Sequence, residues 1–490
     1  MINLEINKAR LANNINKARE NRIVLPTFAQ MRDPGLVPGK IKAGLKDVGL
    51  WDVNPLNLFR ISWHNEPTMQ GGQYGGVNFI ELPSSLTGVK ARIVVLCGKW
   101  FPTGCHKVGA SFGCLAPRLV TGQFDATYHK AVWPSTGNYC RGGAFNSKLL
   151  SCESIAILPA EMSKERFDWL NKIAGEVIAT PGCESNVKEI FDKTWELRTT
   201  REDVVIFNQF EEMGNVLWHY QVTGKAIADA YESLKTPTSR FAGACFTSGS
   251  AGTMSAGDYL KEQYPNSKLA VGEALQCPTL LDNGFGGHRI EGIGDKHVPW
   301  VHNVKNTDLV IAIDDEDSQN LLRLFNTEDG HKYLKEVVGV PAATVEQLSV
   351  LGISGIANVL CCIKFAKYYE LTENDVVATV GTDSAIMYES RIEELNEQQG
   401  KYSLLTAARD YSEHLHGVRT DSMLELSYAE RKRVHNLKYY TWVEQQGKTV
   451  EELNAQWYDE NYWTGIHNQA AELDALIDSF NEATGVLQSL

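Results

Sequence analysis

Residues 103–111 read "TGCHKVGAS". A cysteine, a histidine and a lysine stand side by side after a Thr-Gly turn and before a run of small residues. Three chemistries compete for the stretch. Cys105 as a thiol nucleophile would want a positioned base and an oxyanion hole. Cys105 with His106 as a metal pair would want further ligands at suitable spacing. Lys107 could be a phosphate clamp or a Schiff-base amine, although a lysine among small residues is most often a surface lysine. The rest of the chain has to choose.

The chain has 490 residues, which at about 150 residues per domain implies two to four domains. Its 43% hydrophobic and 22% charged residues are ordinary for a globular protein. A formal charge of −13 argues against a nucleic-acid partner, because phosphate binding needs a basic face. No run approaches the roughly 20 apolar residues of a membrane span. The start, "MINLEINKARLANNINKAREN", is polar and has no apolar segment of signal-peptide type, so a cytoplasmic location is expected. Ten cysteines are scattered without a CxxC pair, which reads as reduced, mostly buried thiols, with no metal expected.

Texture divides the chain. Residues 1–75 are rich in turns ("RDPGLVPGKIKAG", "TMQGGQYGGVN") and read as an amino-terminal extension. Beyond them, "ARIVVLCGK", "ESIAILP", "DVVIFNQF", "SKLAVGEA", "TDLVIAID" and "NDVVATVG" alternate with helical pattern. Continuous Val/Ile runs suit buried parallel strands, so 76–391 is expected to be an α/β core. Helices are expected at 163–174, opened by a Ser-x-x-Arg start that is half a capping box, and at 356–369. Residues 392–490 are charged, rich in Tyr and Trp, and read as a helical appendage.

Three further stretches accompany the lysine. "WPSTGNYCRGG" at 133–143 is a polar turn able to offer amides and hydroxyls to an anion, or simply a loop. "CFTSGSAGTMSAGDYLKEQYP" at 245–265 runs from a strand end through small residues into a helix, the build of a phosphate cradle. It is neither a Walker loop nor a G-x-G-x-x-G turn, which disfavours nucleoside triphosphates and dinucleotides. "VVATVGTDSAIMY" at 376–388 ends a strand in Thr382, Asp383 and Ser384, where open α/β sheets place ligands or where a helix cap would stand. A cofactor carrying both an aldehyde and a phosphate would use all four.

At these residues the sequence resembles the fold-type II pyridoxal-phosphate enzymes, the superfamily of tryptophan synthase β and cysteine synthase, over roughly 80–390. "PSTGN" is similar to the family's Ser/Thr-Gly-Asn loop, and the His-Lys pair to the tryptophan synthase β and threonine synthase flavour. "AILPAEMSKERFDWLNKIAGEVIATPG", "NQFEEMGNVLWHYQVTGKAI", "GSAGT…YLK" and "HRIEGIGDKHVP" resemble cysteine synthase and cystathionine β-synthase segments, in the family's order.

The resemblance implies a two-domain α/β fold, with a smaller mobile subdomain at about 110–220, and pyridoxal 5′-phosphate as cofactor. It implies that Lys107 forms the Schiff base and moves the Cα proton, with His106 packing beside the cofactor. Asn138 is implied on the ring oxygen, and Gly249, Ser250, Ala251, Gly252 and Thr253 on the phosphate. Ser384, in preference to Asp383, is implied against the pyridine nitrogen. Ser135, Thr136 and Gly137, assisted by Gln209, would bind the substrate carboxylate, and Gly292 would lie at the mouth. The implied activity is β-replacement or β-elimination on a β-substituted L-amino acid through an aminoacrylate intermediate, with a thiol or other nucleophile as second reactant, in a homodimer or higher homo-oligomer. A serine/threonine-type dehydratase on the same fold is the alternative, and a cofactor-binding regulatory partner a more distant one.

The chain also departs from the family. Tyr139, Cys140 and Arg141 follow the Asn where small residues are usual. Arg141 is either a surface arginine or a clamp for a second anionic group on the substrate. The segments 1–75 and 392–490 have no counterpart in the minimal enzymes.

Overall fold

The computed structural model describes residues 1–66, 73–184, 186–294 and 296–490; residues 67–72 of the turn-rich stretch expected near residue 70 lie outside the described residues. The Val/Ile-rich runs become strands. The chain forms β1 (Phe79–Leu82), β2 (Arg92–Cys97), β3 (Lys130–Pro134), β4 (Glu153–Pro159), β5 (Glu176–Thr180), β6 (Val204–Ile206), β7 (Arg240–Thr247), β8 (Lys268–Ala274), β9 (Leu309–Ile313), β10 (Asp375–Gly381) and β11 (Met423–Glu425). All six expected apolar runs carry a strand. The additional strands are short or sit at sheet edges, apart from β3 and β7, whose apolar residues adjoin the polar turns.

Two sheets result. One has four parallel strands in the order β5-β4-β3-β6 and falls wholly within residues 110–220. The other has seven strands in the order β1-β2-β10-β7-β8-β9-β11, with five parallel central strands and an antiparallel strand at each edge. Every residue of β10 is buried, as expected of a strand covered on both faces. Each fully buried Val, Ile or Leu on such a strand contributes about 1.5–3 kcal/mol.

The expected helices form at Lys164–Ile173 and Ile353–Tyr368. The stretch opening on Lys107 becomes a helix, Lys107–Thr121, packed against helices Asn138–Leu149 and Met213–Trp218. Gly113 permits that approach: a Cβ there would meet the backbone of Gly214.

The amino-terminal segment is more ordered than its turn-rich sequence implies. Helix Lys8–Glu20 is capped by Asn7 and buries only Asn14 and Ala18, so it shows little apolar periodicity. It packs on helix Ala470–Thr484 from the far end of the chain, and both lie on helix Lys107–Thr121. Asp474 accepts the amides of Phe28 (2.6 Å) and Ala29 (3.1 Å), and Asn481 exchanges hydrogen bonds with the backbone of Leu25 at 2.9 and 2.8 Å. The two ends thus form a joint cover over the lysine helix.

Residues 392–490 are not purely helical. Met423–Glu425 pairs antiparallel with Leu309–Ile311 and completes the large sheet, because an open parallel edge needs a partner for its backbone groups. Among the described residues no helix is long and apolar enough to cross a membrane.

Candidate functional site

Strand ends and helix starts converge on one cleft. Lys107 opens its helix. Ser135 and Thr136 follow β3, and Asn138 begins the next helix. Gln209 follows β6, Gly249 and Ser250 follow β7, and Gly292 lies in a loop of the large sheet. All eight line the cleft, together with Tyr139, Glu184, Val187, Phe210, Ile293 and Gly294. This is the carboxyl edge of both sheets, where helix amides also face.

The Lys107 amine donates to Ser250 Oγ at 3.0 Å and to Gln209 Oε1 at 3.4 Å. Burial pulls its pKa down to about 8, so near neutrality about a tenth is the unprotonated amine, far more than an ordinary lysine offers. Cys105 lies behind it, fully buried, and burial pushes that thiol up to about 12, which leaves it a protonated filler. The His106 ring is buried against Trp63 and His219, with both nitrogens lacking a hydrogen-bond partner, and burial holds its pKa well below the ordinary value. Among the described residues no group of three or more potential ligands could hold a metal.

The small-residue turn runs into helix Met254–Gln263 with Thr253 at its cap. Ala251 takes a left-handed backbone (φ 59°), and a Cβ on Gly252 would run into the Asn215 side chain. Asn215 Nδ2 in turn donates to Ser250 Oγ at 3.1 Å. Across the cleft, Gln209 Nε2 donates to Ser135 Oγ at 3.3 Å and the Gly137 amide to the same oxygen at 3.1 Å. Gly137 has φ 153° and faces the Arg166 side chain where a Cβ would stand.

Behind this turn lies a buried charge network that sequence reasoning missed. Arg166 pairs with Glu291 Oε2 at 2.8 Å, donates to Tyr388 Oη at 2.9 Å and to the Thr136 carbonyl at 3.2 Å. Burial opposes its charge, but Tyr388, Glu291, Glu184 and Asp383 together hold it above the usual arginine range. The only visible signal was that Ser163-x-x-Arg166 fails as a capping box; Ser163 makes no side-chain cap and the arginine points inward instead. Glu184, in a loop without pattern, accepts from the Thr136 hydroxyl and from the Gly292 amide at 2.9 Å. Burial pushes its carboxyl up to about 8.

Asp383 and Ser384 separate clearly. Asp383 Oδ2 accepts from Asn138 Nδ2 and Tyr388 Oη, both at 2.7 Å, whereas Ser384 Oγ is buried without a hydrogen-bond partner among the described residues. Arg141 is neither exposed nor on the cleft. Its guanidinium lies 4.8 Å from the Trp169 ring and 5.6 Å from Trp51, with Met387 Sδ at 3.4 Å. The expectation of a surface arginine is corrected, because packing between the two tryptophans buries it, and Arg141 is not among the residues that line the cleft. Burial first, then Arg166, lowers its pKa to about 10.

The residue set fits a group with an aldehyde, a phosphate and a polar ring. It offers a buried amine, a glycine-rich turn at a helix start, and two buried unpartnered acceptors or donors, Asn138 Oδ1 and Ser384 Oγ.

Sequence comparison finds similar proteins. A probable cysteine synthase of Bacillus subtilis is 31% identical over 200 residues, covering 41% of this chain and 63% of the relative. A cysteine synthase of Staphylococcus aureus is 29% identical over 252 residues, covering 51% of this chain and 72% of the relative. The chain is similar to the cysteine synthases. In fold, the cysteine-synthase-like chain matches the crystal structure of a hydrogen sulfide-producing enzyme from Fusobacterium nucleatum. The TM-score is 0.55 at 24% identity, over 68% of this chain and 92% of that one. No family model matches the chain. The aligned parts stop short of the full length of each relative and of this chain.

Proposed function

We propose that the protein is a pyridoxal-phosphate enzyme that carries out β-replacement or β-elimination on a β-substituted L-amino acid. The observation that carries this reading is the buried Lys107 amine, 3.0 Å from Ser250 in the glycine-rich turn and in one cleft with the Ser135–Thr136 turn. When bound, pyridoxal phosphate supplies a carbonyl for the amino acid's nitrogen and a ring that accepts electron density from Cα.

The chain's own residues supply the rest. Gly249, Ser250, Ala251, Gly252 and Thr253 would hold the phosphate, with amides at a helix start doing the electrostatic work. Asn138 and Ser384 would hold the ring, with His106 beside it. A hydroxyl at Ser384 would offer the pyridine nitrogen a hydrogen bond without giving up its proton, which would favour loss of a β-substituent over full carbanion chemistry. Ser135, Thr136, Gly137 and Gln209 would orient the substrate carboxylate, and Gly292 would border the mouth. Lys107, with its depressed pKa, would take the proton from Cα and return it. Similarity to cysteine synthases favours replacement by a thiol, and the fold shared with a hydrogen sulfide-producing enzyme keeps elimination as the second reading. The cysteines are scattered and mostly buried, which supports a reducing, intracellular setting.

The test is a screen of amino acids against purified holoprotein, scoring thiol adducts against keto acids, with borohydride trapping and peptide mapping. Label on Lys107 is expected. Cofactor released intact with Lys107 unmodified would overturn the assignment, and keto acid formed without added thiol would identify the dehydratase or lyase alternative.

A further inference from the structure

Among the described residues Glu184 is the one carboxyl that lines the cleft, and it stands in an unusual place. It follows β5 and is 2% exposed. Its Oε1 accepts from the Thr136 hydroxyl and the Gly292 amide, which are donors of the turn and mouth proposed to receive the substrate carboxylate. Its Oε2 is buried and has no hydrogen-bond partner among the described residues. On its other side Glu184 lines a second cavity of about 370 Å³, shared with Met162, His288, Arg289, Glu291 and Arg391. The side chain is therefore the wall between the Lys107 cleft and a space large enough to receive it.

We propose that Glu184 sets the carboxylate affinity of the cleft: its own carboxyl sits on the anion turn, and a substrate carboxylate binds by displacing it toward the outer cavity. This rests on the reading of the cleft as an amino-acid site. Two carboxylates cannot share the Thr136 hydroxyl proton, and two like charges this close repel when desolvated. The groups facing Glu184 fix the balance. Arg166 favours its ionised form and Glu291 opposes it, while Arg166 and Arg391 both spend hydrogen bonds or ion pairs on Glu291, and Arg289 on Asp315 and Glu316. Glu161 and Glu394 add negative charge in the outer cavity, and Lys107 is the cation of the cleft. Below about pH 8 the resident carboxyl is neutral and is displaced more readily; above it the ionised form grips Thr136 and Gly292 and repels the incoming anion.

Acetate is the probe, titrated calorimetrically into wild-type, Glu184→Gln and Glu184→Ala holoproteins at about pH 6.5 and about pH 9. Any other group that titrates over this range is common to all three proteins, so the ratio between proteins is what reports on Glu184. The expected result is that Glu184→Gln matches wild type at the lower pH and binds about tenfold tighter than wild type at the higher one. Glu184→Ala, lacking the occupant, binds tighter than wild type at both. Equal ratios at the two pH values, weaker binding by Glu184→Ala, or no acetate binding by either variant would overturn the proposal. Lys107 labelling and turnover, measured on the same preparations, report separately on the enzyme assignment, because acetate binding needs no reaction.

Discussion

Asn138 Nδ2 donates to Asp383 Oδ2 at 2.7 Å, joining the start of the helix after β3 to the end of β10 across the cleft. The same carboxylate accepts from Tyr388 and lies 3.9 Å from Arg166, so it is committed to holding the two sheets together. Ser384, one residue on, keeps its hydroxyl unpartnered. The two neighbours have different jobs.

Their separation is measurable. Asp383→Asn is expected to leave the cofactor's absorption maximum unchanged while lowering stability by on the order of 2 kcal/mol, since a buried carboxylate with charged and hydrogen-bonding neighbours is replaced by an amide. Ser384→Ala is expected to do the reverse, changing the cofactor spectrum with little loss of thermal stability. A spectrum altered by Asp383→Asn and indifferent to Ser384→Ala would reverse the assignment.

Lys107 makes a pH prediction. Burial depresses its amine to about 8, and only the neutral amine attacks an aldehyde. Reloading of cofactor-free protein with pyridoxal phosphate, trapped by borohydride, should therefore speed up as pH rises and level off above about 8. A profile still climbing toward the ordinary lysine range near 10.4 would show that the amine is solvated.

Arg141 distinguishes structure from recognition. Held between Trp51 and Trp169, it should act on stability and not on substrate choice. Arg141→Ala is expected to cost about 2–3 kcal/mol through lost packing and cation–π contact. Any fall in kcat/KM should be equal for neutral and anionic substrates. A loss confined to anionic substrates would restore the clamp.

The carboxyl-terminal segment reaches the cleft through Lys438. Its buried ammonium donates to the carbonyls of Trp300 (3.0 Å) and His302 (2.6 Å) and to Gln456 Oε1 (2.7 Å). Between those carbonyls, the Val301 amide donates to the Phe210 carbonyl at 3.2 Å, and Phe210 lines the cleft beside Gln209. Lys438→Met should destabilise the protein by about 2–4 kcal/mol, because it removes three interior hydrogen bonds and leaves the Trp300 and His302 carbonyls only the donors Gln456 Nε2 and the Val304 amide. Steady-state kinetics should show a raised KM with the Lys107 label unchanged. A variant of normal stability and KM would mean that the appendage merely covers the core.

Much of the core was legible in order of residues. Runs such as "DVVATVG" have no polar alternation, and a strand without it must be covered on both faces; β10 is. The strand-to-turn transitions at Ser135 and Ser250 likewise marked the edge on which the cleft lies, because small and hydroxylic residues after an apolar run leave amides free to face a ligand. The helix Lys8–Glu20 was illegible for the opposite reason: its partner, Ala470–Thr484, lies at the other end of the chain, and it buries too little of its own surface to show a period.

The opening "TGCHKVGAS" shows the division most clearly. Sequence alone determined that a lysine stood at a turn before residues small enough for close packing, and that three other stretches could serve the same cofactor. Which of the three adjacent side chains was chemically available was settled by tertiary burial, which depresses the Lys107 amine and raises the Cys105 thiol in the same interior. The places of Glu184, Arg166 and Arg141 were also decided there. A charged side chain carries no periodicity that marks it as buried, and its energy depends on partners brought from distant positions of the chain.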